Sequence, residues 1–528
     1  MTSRAGRRSR PAATVAAGIL LSRLLGLVRN RIFAHYLGTS DAADAFNAAF
    51  KIPNFLQNLF GEGVLSASFI PVYSQLLGRE EREDARRVAG AVFSLLGLAT
   101  STLVLGGVLI TPLLIAVIAP GFAGEKREIT ITLVRILFPG AGLLVMSAWC
   151  LGVLNSHRRF FLSYAAPVLW NLTIILTLIG FGGAATGYRL AEITAWGSVV
   201  GSGLQFAIQV PPVLRLLGGL SLDLGRRLES VHTVVGNFVP VFIGRGVVQI
   251  SAYVDTVLAS LLPTGAVAAL SYAQVLYTLP VSLFGMSVSA AELPAMSSAT
   301  GEADERAAHL RGRLDGGLRQ IAFFVVPSAV AFLALGDVVA GAVFQSGAFT
   351  RETTVYVWGI LAGSAVGLLA STLGRLYAST YYALHDTRTP LKFATVRVLL
   401  TIVLGYLFAI PLPGMLGVDQ RWGVAGLSAS AGLAGWLEFV LLRRTLNSRI
   451  GRTGIPLPYM IRLWGSALAA ASAAWVVKLA FYPGHLLLVA LFSLGMYGAA
   501  YFAVAASLGV PQAVRLVAKI GWDRSTRS

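Results

Sequence analysis

The sequence predicts an all-α membrane protein that crosses the bilayer fourteen times. Three observations support this fold class. Of the 528 residues, 55% are hydrophobic and only 12% are charged, which is about half the charge of a soluble domain. Apolar windows of about 20 residues, the length of a spanning helix, recur along the whole chain. The positive charges between these windows fall almost entirely on one side of the predicted membrane.

The windows define the predicted elements in chain order. Each is long enough to cross the hydrocarbon layer as a helix. They lie at 15–36, 44–73, 89–118, 130–153, 161–182, 189–214, 232–261, 265–294, 318–343, 354–383, 391–411, 423–442, 459–480 and 485–508. The charged segment between spans 8 and 9 is predicted to be an amphipathic connecting helix.

The distribution of Lys and Arg predicts the orientation of the chain. With the N-terminus in the cytoplasm, 27 Lys and Arg lie in cytoplasmic segments and five lie on the opposite side. Such an excess marks the cytoplasmic face, so both termini are predicted to be cytoplasmic. The arginines at the N-terminus resemble the start of a signal peptide, but the following stretch contains Arg23 and Arg29, which favours an uncleaved first helix. The net charge of +18 therefore needs no nucleic acid partner.

A weak internal repeat predicts the domain organisation. The segment 39–71 resembles 264–294, with Leu-Phe-Gly at 59–61 and again at 283–285, and the segment 155–158 resembles 385–388. The offset spans six helices, so the repeats keep the same orientation, as in transporters with a site between two halves. We predict two pseudo-symmetric six-helix lobes followed by two further helices, with boundaries at 1–220, 221–450 and 451–528.

Ten positive residues lie within or at the ends of the predicted spans. Those near span ends, such as Arg31, Arg462 and Lys478, are expected to reach the membrane surface. A cation deeper in the membrane costs about 2.5–3.5 kcal/mol, so the others predict a polar cavity inside the protein. The ten are Arg23, Arg29, Arg31, Lys51, Arg135, Arg245, Arg375, Arg397, Arg462 and Lys478.

Span 2 carries the most polar helix face. In one straight helix Asp44, Lys51 and Glu62 would lie within about 20° of one another, and Asn47, Asn54 and Asn58 would widen this stripe. One interpretation is that these charges pair with each other and hold the helix bundle together. We favour a cavity lining, because Pro53, Gly61 and Gly63 also allow the span to bend.

Arginines of spans 1 and 7 extend the predicted site. Arg23, Arg29, Lys51 and Arg245 together would form a cationic pocket, which suits a ligand that carries phosphate and argues against a cationic drug. Alternatively, Arg245 neutralises a buried carboxylate such as Glu62 or Glu292.

Signatures of an enzyme are absent from the sequence. The chain has no G-x-x-x-x-G-K-[ST] motif for ATP hydrolysis, and its six histidines show no metal-ligand spacing. The single cysteine, Cys150, excludes an intramolecular disulfide. We therefore predict a transporter without a cofactor. A membrane enzyme of cell-wall assembly and a scaffold for wall-synthesis enzymes are the alternatives from other classes.

Four segments resemble the MurJ/MviN lipid II flippases of the multidrug, oligosaccharidyl-lipid and polysaccharide exporter superfamily. The most specific runs from Ser22 to Leu76 and contains DAFNAAFKIPNFLQNLFGEG; the others are 138–172, 240–262 and 381–394. The resemblance implies alternating-access export of the undecaprenyl-linked peptidoglycan precursor lipid II across the bacterial inner membrane. Membrane lipids and cell-wall synthesis enzymes would be its further partners, and spans 13 and 14 would form a groove for the lipid tail.

The resemblance also implies particular site residues. The essential cavity residues of the family match Arg23, Arg29, Asp44, Lys51 and Glu62, and we add Asn54 and Arg245. Members commonly carry an acid where this chain has Asn30, and basic residues where it has Gln57 or Asn58. In span 8 they commonly carry an Arg where this chain has Val275 and a Glu where it has Thr278. Our hypothesis is that Arg245 replaces the missing charge of span 8. Another polyprenyl-linked glycan or a drug remains an alternative substrate.

The coupling force is predicted only in outline. Some family members are reported to bind sodium between spans 7, 11 and 12, and Asp255 and Asp386 resemble the acidic positions involved. Asp386 could equally cap the helix that follows it. Without an ATP motif, a sodium gradient or the membrane potential would drive transport.

Overall fold

The computed structural model describes residues 5–221, 223–225, 228–251, 253–298, 302–481 and 484–525. Nineteen α-helices are present in this part of the chain, and the side chains of Glu62 and Arg245 lie outside the description. The helices are α1 (Ala5–Leu37), α2 (Asp41–Phe60), α3 (Glu62–Gly78), α4 (Arg82–Ile118), α5 (Gly124–Ser156), α6 (Phe160–Phe181), α7 (Gly187–Leu217), α8 (Glu229–Ser251), α9 (Val254–Ser260), α10 (Ala266–Pro280), α11 (Ser287–Ser297), α12 (Ala303–Phe344), α13 (Arg351–Ala383), α14 (Arg388–Ala409), α15 (Pro411–Leu416), α16 (Gly423–Ile450), α17 (Leu457–Phe481), α18 (Leu486–Ser507) and α19 (Pro511–Ser525).

The prediction of an all-α, multi-pass membrane protein is confirmed. Within the described ranges, ten helical segments are long and apolar enough to cross a membrane, and they coincide with ten of the predicted spans. The other four predicted spans fall on α1, on α2 with α3, on α7, and on α8 with α9, which do not meet that measure of length and apolarity. Three of these four contain the predicted site residues, whose polar side chains lower the apolar character of the helices.

The second predicted span is two helices rather than one. Gly61 separates α2 from α3 and has an extended backbone, with φ −77° and ψ −160°. A Cβ atom here would lie 2.2 Å from the carbonyl oxygen of Gln57, so a larger residue would force the bend to change. The prediction that this glycine bends the span is confirmed. The expectation that Glu62 continues the straight face of Asp44 and Lys51 is wrong, because the helix is interrupted before it.

Three further predicted elements also differ in continuity. Span 7 consists of α8 and α9, and span 8 consists of α10, a π-helical stretch at Val281–Met286, and α11. The predicted connecting helix and span 9 instead join into α12, which is 42 residues long and kinked at Leu335. Apolar windows locate a span, but they do not show where its hydrogen-bond register changes.

The chain forms two compact units. Unit 1 comprises residues 1–268 with 346–349, and unit 2 comprises 269–345 with 350–528. The predicted boundary at 220/221 came from the sequence repeat, whereas the compact units follow packing, because α8 packs against α2, α3 and α4 within unit 1. The three-part division by repeat stays a prediction.

Each unit has its own packing anchors. In unit 1, the indole of Trp149 is buried and donates a hydrogen bond to the Ala89 carbonyl of α4. In unit 2, α13 and α16 approach so closely that a Cβ at Gly367 would lie 2.2 Å from the Cα of Gly432. Small residues permit such close approach of helix backbones in membranes.

Lys478 has a different environment from the one expected. Its ammonium lies 2.7 Å from the Asp337 carboxylate, and both side chains are largely buried. The ion pair joins α17 to α12 within unit 2, and the neighbouring Trp475 donates to the Ala334 carbonyl close to the α12 kink. Lys478 is therefore a helix-packing residue, and the expectation that it reaches the membrane surface is wrong.

Candidate functional site

Asp44 is the most completely bonded of the predicted site residues. It lies in the first turn of α2, and its side chain is 1% exposed. One carboxylate oxygen accepts from Lys126 Nζ and from the Gly265 amide, both at 2.7 Å, and the other accepts from the Ala268 amide at 2.8 Å. Two of these donors lie in or next to the first turn of α10, where backbone N–H groups lack helical partners. Asp44 thus ties the start of α2 to the start of α10.

Lys126 is a bonded neighbour of Asp44 that the sequence did not reveal. It lies in the first turn of α5 and also forms an ion pair with Asp41 at 2.8 Å, while Asp41 accepts a further hydrogen bond from the Thr264 hydroxyl. Burial alone would raise the pKa of the Asp41 carboxyl, but the hydrogen bond and charge of Lys126 outweigh it and hold that pKa below its usual value. We name Asp41, Asp44 and Lys126 the acidic cluster.

Lys51 lies two turns further along α2 and faces α9. Its ammonium donates to the Thr256 hydroxyl at 2.6 Å, and it lies within electrostatic range of Asp255. The Tyr253 hydroxyl donates to the Lys51 carbonyl at 2.8 Å. The structure therefore brings together two predicted residues, Lys51 and Asp255, in one half-buried polar group.

Arg29 is held by aromatic rings and by its neighbour in the chain. Its guanidinium lies 5.1 Å from the ring centre of Trp170 and 5.7 Å from that of Phe50. Two of its nitrogens donate to the Asn30 side-chain oxygen, at 3.0 and 3.3 Å. Cation–π contacts orient a guanidinium without neutralising it, so Arg29 keeps its charge available for a ligand.

The remaining predicted residues are placed as follows. Arg23 is exposed on α1 one and a half turns before Arg29, and Asn54 is half-buried on α2. Glu62 begins α3 and Arg245 lies in α8, but the prediction for their side chains falls outside the described residues. Their roles stay predictions.

A polar cavity of about 470 Å³ lies within unit 1. Gln57 and Asn58 of α2 line one side of it, and the rest is lined by uncharged polar residues of α3, α5, α6 and α7 together with a few apolar side chains. The Ser147 hydroxyl donates to the Gln209 side-chain oxygen at 2.8 Å and accepts from Gln205 at 3.0 Å. Sequence reasoning missed these last residues because it followed charges, although Gln205 and Gln209 are four residues apart and therefore share a helix face.

Asp386 lies at the turn before α14. Its carboxylate accepts hydrogen bonds from the Arg388 and Thr389 amides, from the Thr389 hydroxyl and from Arg449. The Thr389 hydrogen bonds, together with Arg449, hold the pKa of this carboxyl well below its usual range. These hydrogen bonds fit the helix-capping alternative for Asp386, and its part in a sodium site stays a prediction.

The positions of the described side chains give no further support for a metal site. Within the described part of the chain, no group of three or more His, Cys, Asp or Glu residues is arranged to hold a metal ion. The sodium prediction for Asp255 remains a prediction.

Comparison with known proteins identifies the family. The family described as lipid II flippase MurJ matches residues 33–506. The chain belongs to the MurJ family. A probable lipid II flippase MurJ of Rhizobium meliloti is 32% identical over 88% of this chain and 84% of its own length. The lipid II flippase MurJ of Burkholderia cenocepacia is 30% identical over 87% of this chain and 88% of its own length.

Solved structures show the same fold. A lipid II flippase MurJ in an inward closed conformation has a TM-score of 0.76 and 24% identity, covering 93% of this chain and 98% of that protein. An inward-facing multidrug resistance transporter of the MATE family has a TM-score of 0.64 and 16% identity, covering 81% of this chain and 95% of its own. Membership in the MurJ family makes the chain a transporter rather than an enzyme, as the absence of enzyme signatures predicted.

Proposed function

We propose that this chain is a lipid II flippase of the bacterial inner membrane. The main evidence for this proposal is that residues 33–506 match the family described as lipid II flippase MurJ. It is supported by two features of unit 1: the cations Arg29 and Lys51, for which no ion pair within 4 Å is present among the described residues, and a cavity lined largely by polar side chains. Such a site suits a ligand with an anionic, sugar-bearing head group.

The topology proposed is fourteen spans with both termini in the cytoplasm and two parallel six-helix repeats. The Leu-Phe-Gly motif of the repeat supports this arrangement. Gly61 in its first copy marks the bend between α2 and α3, and Gly285 in its second copy lies in the π-helical stretch before α11. Each copy therefore accompanies a departure from α-helical geometry.

In the proposed mechanism, a cavity open to the cytoplasm binds the pyrophosphate of lipid II while the polyprenyl tail stays in the lipid. Arg23, Arg29, Lys51 and Arg245 would supply the positive charge. Substrate binding would then favour the outward-open state, because a ligand shifts an equilibrium by its difference in affinity for the two states. The membrane potential, at about 2.3 kcal/mol per charge per 100 mV, is the proposed driving force.

The test measures lipid II on the outer face of the membrane. Cells depleted of their own flippase would express this chain, and a periplasmic toxin that cleaves lipid II would report its exposure. Arg29→Ala removes the stacked cation, whereas Arg189→Ala removes an arginine whose side chain is 74% exposed in a surface ion pair. We expect cleavage with the wild type and with Arg189→Ala, but little or none with Arg29→Ala.

A second candidate substrate is another polyprenyl-linked glycan, favoured by the uncharged Val275 and Thr278 of span 8. If the inserted wild-type chain fails to restore cleavage, the lipid II proposal is wrong and this alternative becomes the better one. If Arg29→Ala works as well as Arg189→Ala, Arg29 is not a substrate contact.

A further inference from the structure

Unit 2 contains a group of three charged side chains apart from the site described above. Arg397 Nε of α14 lies 3.3 Å from the Glu438 carboxylate of α16, and Arg375 of α13 is close enough to affect Glu438 electrostatically. Because α16 packs against both α13 and α14, Glu438 is the member that links the other two. We name Arg375, Arg397 and Glu438 the basic cluster.

The basic cluster lies inside the membrane-spanning part of its helices. Arg375 precedes the end of α13 at Ala383 by eight residues, and Arg397 follows the start of α14 at Arg388 by nine. At 1.5 Å per residue these are depths of about 12 and 14 Å from the turn that joins the two helices. An arginine deep in the membrane is stable only beside polar groups, water or an anion.

The charges of the basic cluster do not balance. Two arginines face one glutamate, and the side chains of Arg397 and Glu438 are 36% and 16% exposed. Arg375 is exposed, and among the described residues no carboxylate lies within 4 Å of its guanidinium. A guanidinium has five N–H donors, and Arg397 approaches the Glu438 carboxylate through Nε at 3.3 Å. One carboxylate cannot accept hydrogen bonds from all the donors of two guanidinium groups, so several donors remain for another acceptor.

We propose that Arg375 and Arg397 bind a phosphate group of the transported lipid. This inference rests on the proposed function and adds, within unit 2, a phosphate contact separate from the residues proposed in unit 1. Two guanidinium groups with open donors match the oxygens of a pyrophosphate, which accepts paired hydrogen bonds. Glu438 pairs with Arg397 and lowers the net charge of the basic cluster to one positive charge, so a bound anion would complete the neutralisation.

The test compares lipid binding by purified protein in lipid nanodiscs. The probe is fluorescent lipid II, and the variants are Arg375→Gln, Arg397→Gln and the control Arg444→Gln, an exposed arginine near the cytoplasmic end of α16. In nanodiscs of phosphatidylcholine alone, we expect each of the first two to weaken binding about tenfold, the effect of losing one charge-assisted hydrogen bond. Arg444→Gln should bind like the wild type.

Three results would overturn the inference. Both glutamine variants could bind within about twofold of the wild type, a difference too small for a lost charged hydrogen bond. Their defect could appear only in nanodiscs that contain phosphatidylglycerol, which would assign the arginines to a membrane phospholipid. Or Arg444→Gln could lose as much affinity as they do, which would show a general charge effect.

Two further measurements separate this inference from folding and from the proposed function. If a glutamine variant unfolds, Arg375→Lys and Arg397→Lys keep the charge but lose the paired donors, and we expect intermediate binding; binding equal to the wild type contradicts the inference. If the wild type does not bind lipid II, the proposed function is wrong. If the wild type binds and exports lipid II but both arginine variants match it, only the present inference is wrong.

Discussion

The acidic cluster and the basic cluster each contain three charged side chains, but they differ in how completely these are bonded. In the acidic cluster, one lysine serves two aspartates, and both oxygens of the buried Asp44 accept hydrogen bonds from lysine or from backbone amides. In the basic cluster, two arginines share one glutamate and keep open donors. The first arrangement is typical of residues that hold helices together, and the second is typical of residues that can still bind an anion.

This difference matters because charge alone does not identify a binding residue. Asp44 is charged and buried in a membrane protein, which favours a functional role from the sequence. Its bonds leave little capacity for a substrate, so its part is to hold the start of α2 to Gly265 and Ala268 within unit 1. Arg29, in contrast, is oriented by rings and an amide that leave its charge uncompensated.

The largest expected effect is the loss of stability on breaking the acidic cluster. Asp44→Ala would leave Lys126 with only the half-exposed Asp41 and would leave two backbone amides without their acceptor. Removing one partner of a buried ion pair costs about 3–5 kcal/mol. We expect a loss of this size in the free energy of unfolding, measured by denaturant titration in detergent.

A matched control for this prediction is Glu192→Ala, which breaks an exposed ion pair with Arg189. Exposed pairs contribute about 0–1 kcal/mol. If Asp44→Ala costs no more than this control, the bonds of the acidic cluster do not stabilise the protein, and the contrast between the clusters is wrong.

A smaller effect is expected from Glu438→Gln in the basic cluster. The variant removes the carboxylate that pairs with Arg397, the only one near the two arginines among the described residues, so the protein without lipid should lose about 1–2 kcal/mol of stability, less than a fully buried pair would. Lipid II should bind more tightly, because the bound phosphate no longer competes with Glu438 for Arg397. The measurement is the melting temperature with and without lipid II. Weaker lipid binding would instead mean that Glu438 is needed to position Arg397.

The fold was largely predictable because spanning helices have a local signal. Apolar windows located the ten helical segments suited to crossing a membrane, and Gly61 was identified as a bend because glycine permits unusual backbone geometry. The window pattern did not show that α12 continues into the connecting segment, since helix continuity depends on hydrogen bonds that both apolar and charged residues can form.

The site was predictable only in part, because its contacts join residues far apart in the chain. Arg29 and Lys51 were found as deep cations, but Lys126 is 82 residues from Asp44, and its charge at a predicted loop gave no sign of this pairing. Glu438 was not predicted to be a site residue, because it is a single acid in an apolar span and no other charged residue lies in that span. The sequence shows which charged residues lie deep in the membrane, whereas the structure shows which of them already form hydrogen bonds or ion pairs.

The smallest expected effect concerns His157, at the turn between α5 and α6. Its Nε2 lies 3.0 Å from the Tyr73 hydroxyl, and burial, followed by the charges of Arg159 and Arg82, lowers the pKa of its imidazole below the usual value. The folded protein therefore binds a proton less readily than the unfolded chain does, so stability is retained at neutral pH and is lost as the pH falls below about 6.5.

Melting temperatures at pH 7.5 and 5.5 test this prediction. We expect the wild type to lose more stability between these pH values than His157→Gln, which cannot titrate but can still accept a hydrogen bond from Tyr73. Equal losses would mean that His157 binds a proton as readily in the folded protein as in the unfolded chain. In that case one hydrogen bond and partial burial would not be enough to set a charge state, and counting bonds alone would not be a sound way to separate the acidic cluster from the basic cluster.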